Sequence, residues 1–439
     1  MGGTMSEMKS VWSAKSEAVS FPELQGDVKT DVLIIGGGIA GVLTAYALQE
    51  RGINCIVVER DRLFSGNTHN TTAKITFQHG LIYQDILKTY GVERAKQYLF
   101  ANKSALEKYS RLAQNIDCDF EYKDNYVYSV DDREKLEKEL EALRRIGFDA
   151  ELCDSVPLPV DTVGAVRFRN QSQFNPLKFL RVISKNLNLY ENTFVHEMRG
   201  TVAITDRGKI IADKVVVATH FPFINKHGSY FMKLYQNRSY VIALKNAQNV
   251  EGMYVDEADK GLSFRNYGSL LLLGGGDHRT GKNGGNWSEL RSFAGEHYPS
   301  AEESFFWSAQ DCMSLDRIPY IGNYSTNTPD LYVISGFNKW GMTTAMAASE
   351  IIADMLEDKS NDYADVFNPS RNILRPQLFA NIFESAVNLL TPTTKRCPHL
   401  GCALKWNKTE RSWDCPCHGS RFDKHGKLLD NPATGNAAL

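Results

Sequence analysis

The sequence predicts a mixed α/β chain with a small additional lobe at its C-terminal end, and three observations predict it. A glycine-rich turn near the start lies between two runs of apolar residues. β-rich runs such as SYVIAL and SLLLLGGGDHRTG occupy the stretch from about 228 to 307. Four cysteines and two histidines crowd into CPHLGC (Cys397–Cys402) and CPCHGS (Cys415–Ser420). At 439 residues the chain has room for two or three domains, or for one large domain with an attachment. A net charge of -2 and a 42% hydrophobic share describe an ordinary globular protein, and no basic stripe points to nucleic acid. Residues 1–29 read as an N-terminal extension without the apolar core of a secretory signal. The longest apolar stretch, VLIIGGGIAGVLTAYAL, is interrupted by glycines and followed by a second apolar run. It therefore reads as strand, turn and helix and not as a membrane span, and the expectation is a cytoplasmic protein.

The first element is the β-branched run Val32–Ile35, a buried parallel strand by composition. Gly36, Gly38 and Gly41 follow in G-x-G-x-x-G spacing, and Ile39 and Ala40 open a helix rich in Ala and Leu. Gly36 permits the tight turn, Gly38 lets backbone approach a pyrophosphate, and Gly41 lets the helix pack on the strand. The helix N-terminus supplies free N–H groups and the positive end of its dipole to phosphates. A second strand, Cys55–Val58, ends at Glu59, an acid placed to accept from a ribose hydroxyl. An acid there favours an unphosphorylated ribose, hence FAD or NAD.

Later segments narrow that choice. RDRLFSGNTHNTTAKITFQHGLIY after Glu59, FNPLKFLRVIS (Phe174–Ser184), KVVVATHFP, DRIPYIGNY and LYVISGFNKWGMTTAMAASEIIADML occur in order over about residues 30 to 360. This series resembles the D-amino-acid-oxidase-like flavoproteins, the family of glycine and sarcosine oxidases. The resemblance implies a Rossmann-like FAD-binding domain with an antiparallel-sheet substrate domain, together spanning 30–370. FAD-binding segments are expected at about 30–105, 155–225 and 325–360, and substrate-domain segments at about 106–154 and 226–324. Besides the glycine turn and Glu59, it implies FAD contacts at Arg60, Gly66, Thr68, Thr72, Ala73, Val195, Ala218 and Thr219. His220 stands where glycine is commoner in that family. Gly336 and Gly341 bracket a turn, with Trp340 beside it, and the helix from Met342 and Thr343 would point its N–H groups at the flavin ring.

Candidates for catalysis are fewer. Lys74 lies in the segment expected to approach the ring, and Lys339 in FNKWG flanks it. His79 reads as a satisfied core histidine. Cys312 sits roughly where sarcosine-oxidase relatives carry a covalently bound FAD, although its neighbours differ. The charged helix DREKLEKELEALRRIG reads as a solvated face.

At the C-terminal end, Cys397-x-His399 and Cys415-x-x-His418 each offer one thiolate and one imidazole. Zinc fingers pair C-x₂₋₄-C with H-x₃₋₅-H, whereas a Rieske centre takes two cysteines on one iron and two histidines on the other. The mixed halves favour the [2Fe-2S] cluster over zinc. CPHLGC…CPCHGSRFD closely resembles Rieske proteins of the respiratory type, which implies a disulfide between Cys402 and Cys417 and a hydrogen bond from Ser420 to a bridging sulfide. Phe422 stands where high-potential members carry tyrosine, which implies a lower potential. Residues 371–390 read as a linker helix and 391–439 as a minimal, β-rich Rieske lobe.

A flavin exchanges two electrons and a Rieske cluster carries one, so the pair would couple a two-electron donor to one-electron carriers. The expectation is an FAD-dependent dehydrogenase of an amine or amino-acid-like small molecule, draining electrons through the cluster to an acceptor protein. Two alternatives are a reductase in which an external donor feeds the flavin through the cluster, and a redox sensor whose flavin never turns over. Rieske oxygenases carry a two-His, one-carboxylate iron domain after the cluster, and with only about twenty residues beyond His418 that class is not the expectation here.

Overall fold

A computed structural model describes residues 7–14, 19–258 and 260–439. An eight-stranded sheet runs in the order Tyr320–Asn323, Leu331–Ser335, Lys209–Val217, Val28–Ile35, Cys55–Val58 and Leu189–Tyr190, with Val195–Arg199 and Val202–Thr205 as an antiparallel flap on Lys209–Val217. Its four central pairings are parallel. Val32, Leu33, Ile34 and Val57 are fully or almost fully buried, as a sheet covered on both faces requires. The helices Ile39–Glu50 and Gly341–Leu356 pack against each other over this sheet.

The second sheet has ten strands and is mainly antiparallel. Its backbone is the trio Glu302–Ser314, Leu234–Lys245 and Leu270–Arg279, paired antiparallel in that order. Gly164–Gln173 belongs to this sheet, pairing with Glu121–Ser129, although the surrounding stretch was expected to serve the nucleotide. The reason is long-range: both of its faces are buried by neighbours remote in sequence, Val166 and Phe168 in one core beside Phe77 and Tyr83, and Ala165 in another. The expected change of segment near 105 falls inside the kinked helix Tyr83–Ala113. The helix Arg133–Arg145 departs from a purely solvated face, because Glu139 is buried and accepts from Tyr83 N and Gln84 N at 2.9 and 2.8 Å.

Pro376 opens the helix Pro376–Leu390, where its missing N–H costs nothing. Beyond it lies a four-stranded antiparallel sheet, Lys405–Asn407, Ser412–Asp414, Arg421–Phe422 and Leu428–Asp430, around a small core that includes Cys397, Cys415 and Phe422. No helix of the described residues is long and apolar enough to cross a membrane.

Candidate functional site

One cavity of about 1340 Å³ lies between the two large sheets and is closed in part by the C-terminal lobe. The residues expected to hold a dinucleotide and its ring line this cavity, with three exceptions: Gly41, Ala73 and Thr343. Gly41 packs instead, as its place in the motif implies: a Cβ there would come within 2.0 Å of the Gly36 carbonyl oxygen. Gly36 has φ 115°, and a Cβ on it would lie 2.4 Å from Ala218 O, so the turn tolerates no side chain. Ala73 O, with Thr72 O, accepts from the buried Arg265 guanidinium, and Thr343 Oγ1 donates to Thr76 O.

Glu59 ends its strand with the carboxylate held between Gly37 N (2.8 Å) and Asp61 N (3.1 Å), while still facing the cavity. Thr68 Oγ1 accepts from Ile39 N, which fixes the segment after Glu59 against the helix N-terminus. A side-chain-free turn, a helix N-terminus and an acid converge on one cavity large enough for a dinucleotide, and this donor set fits one.

Two lysines expected near the ring are both on the cavity wall. Burial, then the nearby Arg265 charge, push Lys74 down to about 7. Lys339, at φ 74°, pairs with Asp277 at 2.7 Å. Cys312 donates toward Ser335 Oγ at 3.6 Å, and burial pushes its thiol up to about 12, which leaves it a poor nucleophile. His79 is the satisfied core residue the sequence suggested: it is bonded to Tyr98 Oη and Thr76 O and stacked on Trp340 with centroids 5.2 Å apart.

Several wall residues escaped the sequence reading. Asp277 and Asp311 both line the cavity, Asp311 accepting from Ser239 Oγ at 2.7 Å. His220 has φ 66°, and its carbonyl accepts from Ser335 Oγ at 2.5 Å. Its departure from glycine was the one signal available in the sequence.

The two cysteine–histidine loops meet below this cavity. Cys402 and Cys417 form a disulfide. Cys415 Sγ lies within 4.8 Å of both of their sulfurs, but the disulfide occupies those two, leaving Cys397 and Cys415 as thiol donors. The imidazoles of His399 and His418 cross edge-on with centroids 4.9 Å apart. Each keeps a buried Nδ1 with no protein partner. Burial holds both rings low, His399 at about 4 and His418 at about 3, so both are neutral donors. Two thiols and two unpartnered Nδ1 atoms from paired loops fit a Rieske cluster and match no zinc-finger pattern. The Ser420 hydroxyl accepts from Ala433 N at 3.0 Å beside Cys397.

The lobe is fastened to the oxidoreductase sheets through this same loop. Arg279 donates to Pro416 O and Cys417 O, Gln236 to His418 O, and Gln310 to Gly419 O, so successive loop carbonyls are satisfied by the ten-stranded sheet. His399 Nε2 contacts Asn225 Oδ1 at 2.9 Å. Asn431 donates to Thr219 O and Phe221 O at the end of the Lys209–Val217 strand. Phe221 is fully buried with its ring edge-on to both imidazoles, its centroid 6.4 Å from that of His399 and 6.2 Å from that of His418.

A family model described as FAD dependent oxidoreductase matches residues 31–355, and one described as Rieske [2Fe-2S] domain matches 382–438. The chain belongs to the FAD-dependent oxidoreductase family and carries a Rieske domain. Its cofactors are therefore FAD and a [2Fe-2S] cluster. It is 32% identical over 485 residues to "Putative Rieske 2Fe-2S iron-sulfur protein YhfW" of Bacillus subtilis (strain 168), covering 96% of this chain and 95% of that one. Glycine oxidase from Geobacillus kaustophilus superposes with TM-score 0.65 at 19% identity, over 79% of this chain and 99% of that chain. L-proline dehydrogenase from P. horikoshii superposes with TM-score 0.66 at 18% identity, over 80% and 98%. Both solved structures share the fold of the FAD-dependent part.

Proposed function

We propose that this FAD-dependent oxidoreductase oxidises an amine or amino-acid-like small molecule and passes the electrons singly, through its Rieske centre, to an acceptor protein. When bound, FAD supplies two-electron exchange with the substrate and the [2Fe-2S] cluster supplies one-electron exchange with a carrier. The observation that carries the reading is the short segment Ala218–Phe221. Ala218 and Thr219 line the cavity, and Phe221 touches both cluster histidines. A reductase running the other way would use the same segment; the cavity walled by Lys74, Asp277 and Lys339 favours a small molecule at the flavin end.

Each residue has a role in this reading. Gly36, Gly38, Ile39 and Ala40 take the pyrophosphate, with Gly41 behind them. Glu59 and Arg60 take the adenosine ribose, and Gly66, Thr68, Thr72 and Ala73 hold the segment that follows. Val195, Ala218 and Thr219 form the floor, and Gly336, Trp340, Gly341, Met342 and Thr343 the turn against the ring. Burial pushes Lys74 down to about 7, so near neutral pH a share of it is the neutral amine, and that form accepts a proton from the substrate amine. Lys339 holds Asp277 on the cavity wall through their ion pair. Cys397, His399, Cys415 and His418 hold the cluster, and the Cys402–Cys417 disulfide ties their loops. The division into a 30–370 oxidoreductase unit, a 371–390 linker and a 391–439 cluster lobe belongs to the same reading.

The test is a screen of primary, secondary and amino-acid amines for anaerobic bleaching of the flavin, with ferricyanide then added as a one-electron acceptor. Bleaching followed by turnover with ferricyanide supports the reading. A flavin that no amine bleaches, but that is reduced through the cluster by an external one-electron donor, would replace it with the reductase.

A further inference from the structure

The helix Pro376–Leu390 is built inside out. Leu378, Asn381 and Asn388 are the buried residues of the helix, and two of the three are polar. Asn381 donates to Met232 O and accepts from Arg279, while Ala403 N donates to Asn388 O. Its only ionised side chain, Glu384, also turns to the body and pairs with Lys282 at 2.7 Å. The apolar residues Phe379, Ile382, Phe383, Val387 and Leu390 recur at helical spacing on the opposite face, and all are exposed, Phe383 at 68% and Leu390 at 82%. Among the described residues nothing covers them. A helix that binds a protein body normally turns its apolar stripe inward, and a contiguous outward stripe marks a surface that meets something else.

The surroundings identify the occupant. Arg396 clasps the helix end through Leu389 O and Thr391 O. Next to it Lys395 lies over Trp413, whose ring is 5.1 Å from the exposed Trp406. Residues 391–439 hold eight Lys/Arg against four Asp/Glu in a chain whose net charge is -2. Glu410 and Asp414 are buried in ion pairs with Arg421. The exposed charged residues of the lobe are Lys405, Lys408, Arg411, Lys424 and Lys427. They are set against two part-exposed acids: Asp423, which accepts from His425 N and Lys427 N in its own loop, and Asp430, which pairs with Arg421. A Phe/Leu face without charges, an adjoining exposed tryptophan and a cationic flank together match the requirements of an anionic lipid surface. A protein partner of acidic charge would meet the cations but would need a groove for the convex apolar stripe.

We propose that the helix Pro376–Leu390 and the basic face of the cluster lobe dock this protein on the surface of an anionic lipid bilayer, with the helix lying in the interface plane. Nothing spans the bilayer in this arrangement. The cluster lobe then sits at the membrane surface, so an electron acceptor would be met there.

Flotation of the holoprotein with phosphatidylcholine vesicles, with and without phosphatidylglycerol, tests this. Wild type should bind the phosphatidylglycerol vesicles at least about tenfold more tightly, and added salt should weaken that binding. Phe379→Ser with Phe383→Ser should lower binding by at least about tenfold. Both side chains are exposed, so FAD content, iron content and melting temperature should stay as in wild type. Lys405→Glu with Lys408→Glu should abolish the preference for anionic lipid while leaving the apolar face intact. The proposal is overturned if wild type binds neither vesicle, or if the serine variant binds as wild type does. It is also overturned if sedimentation shows a dimer that the serine variant dissociates, or if an acidic protein competes for a site that vesicles leave free.

Discussion

Glu410 is the residue of the cluster lobe whose loss should be felt most in the oxidoreductase sheets. Its carboxylate accepts from Arg238 Nε at 3.0 Å and Nη2, from Arg421 Nη2 at 2.9 Å, from Tyr240 Oη at 2.8 Å and from Ser308 Oγ at 3.0 Å. Arg238 and Glu410 are each only 4% exposed. Removing one partner of a buried pair leaves the other charge uncompensated and typically costs about 3–5 kcal/mol. Arg421 keeps Asp414 and Asp430, so the cost of Glu410→Met falls mainly on Arg238. Arg238→Met in the same chain removes that stranded charge and should recover at least about 2 kcal/mol. Urea unfolding of the holoprotein, followed by tryptophan fluorescence, measures both. The acid limb has a definite sign. Burial raises the Glu410 value, but Arg238 and Arg421 outweigh it and hold the carboxyl well below the ordinary range. The stabilisation is therefore present above the unfolded value of about 4.3 and is lost as pH falls below it. A Glu410→Met cost under about 1 kcal/mol, or a double variant no better than the single one, would refute the latch.

Four further outcomes follow from the same structure. Phe221→Leu conserves most of the core volume and should cost less than about 1.5 kcal/mol; stopped-flow absorbance should show slower electron equilibration between flavin and cluster, with FAD and iron content unchanged. Lys74→Met should remove from the amine-oxidation profile an apparent pKa near 7, below which wild type loses activity because the Lys74 amine is protonated and can no longer act as a base. Acid precipitation should release the yellow colour into the supernatant, because burial leaves Cys312 a protonated thiol rather than a flavin-linking nucleophile. Phe422→Tyr should raise the cluster's midpoint potential in a redox titration, since a phenol adds a donor beside the cysteine sulfurs, and an unchanged potential would count against that.

What was legible in the sequence was what neighbouring residues impose on one another. The glycine turn, the strands on either side and Glu59 lie within one βαβ unit, so their spacing alone predicts the cradle. The proposed ligand set of the cluster is equally local, two short loops each carrying a cysteine and a histidine. Asp277, Asp311 and Gln236 were not legible, because they sit on strands of an extended sheet whose registers no short pattern fixes. Gly164–Gln173 joins the larger sheet for the same reason. Glu139 looked solvated because a charged helix hides one inward acid, whose acceptors meet Tyr83 N and Gln84 N from another helix. The inverted polarity of Pro376–Leu390 was invisible too: periodicity marks an apolar face but does not say which way it points.

The central claim is that electrons pass between flavin and cluster within one chain, by way of a lobe held on the cavity by Gln236, Arg279, Gln310 and Asn431. Its most direct test is anaerobic photoreduction of FAD in the holoprotein, without mediators, followed by electron paramagnetic resonance of frozen samples. The account predicts that a reduced Rieske signal appears as the flavin gives up its electrons. A flavin that stays reduced beside an oxidised cluster until a mediator is added would contradict it.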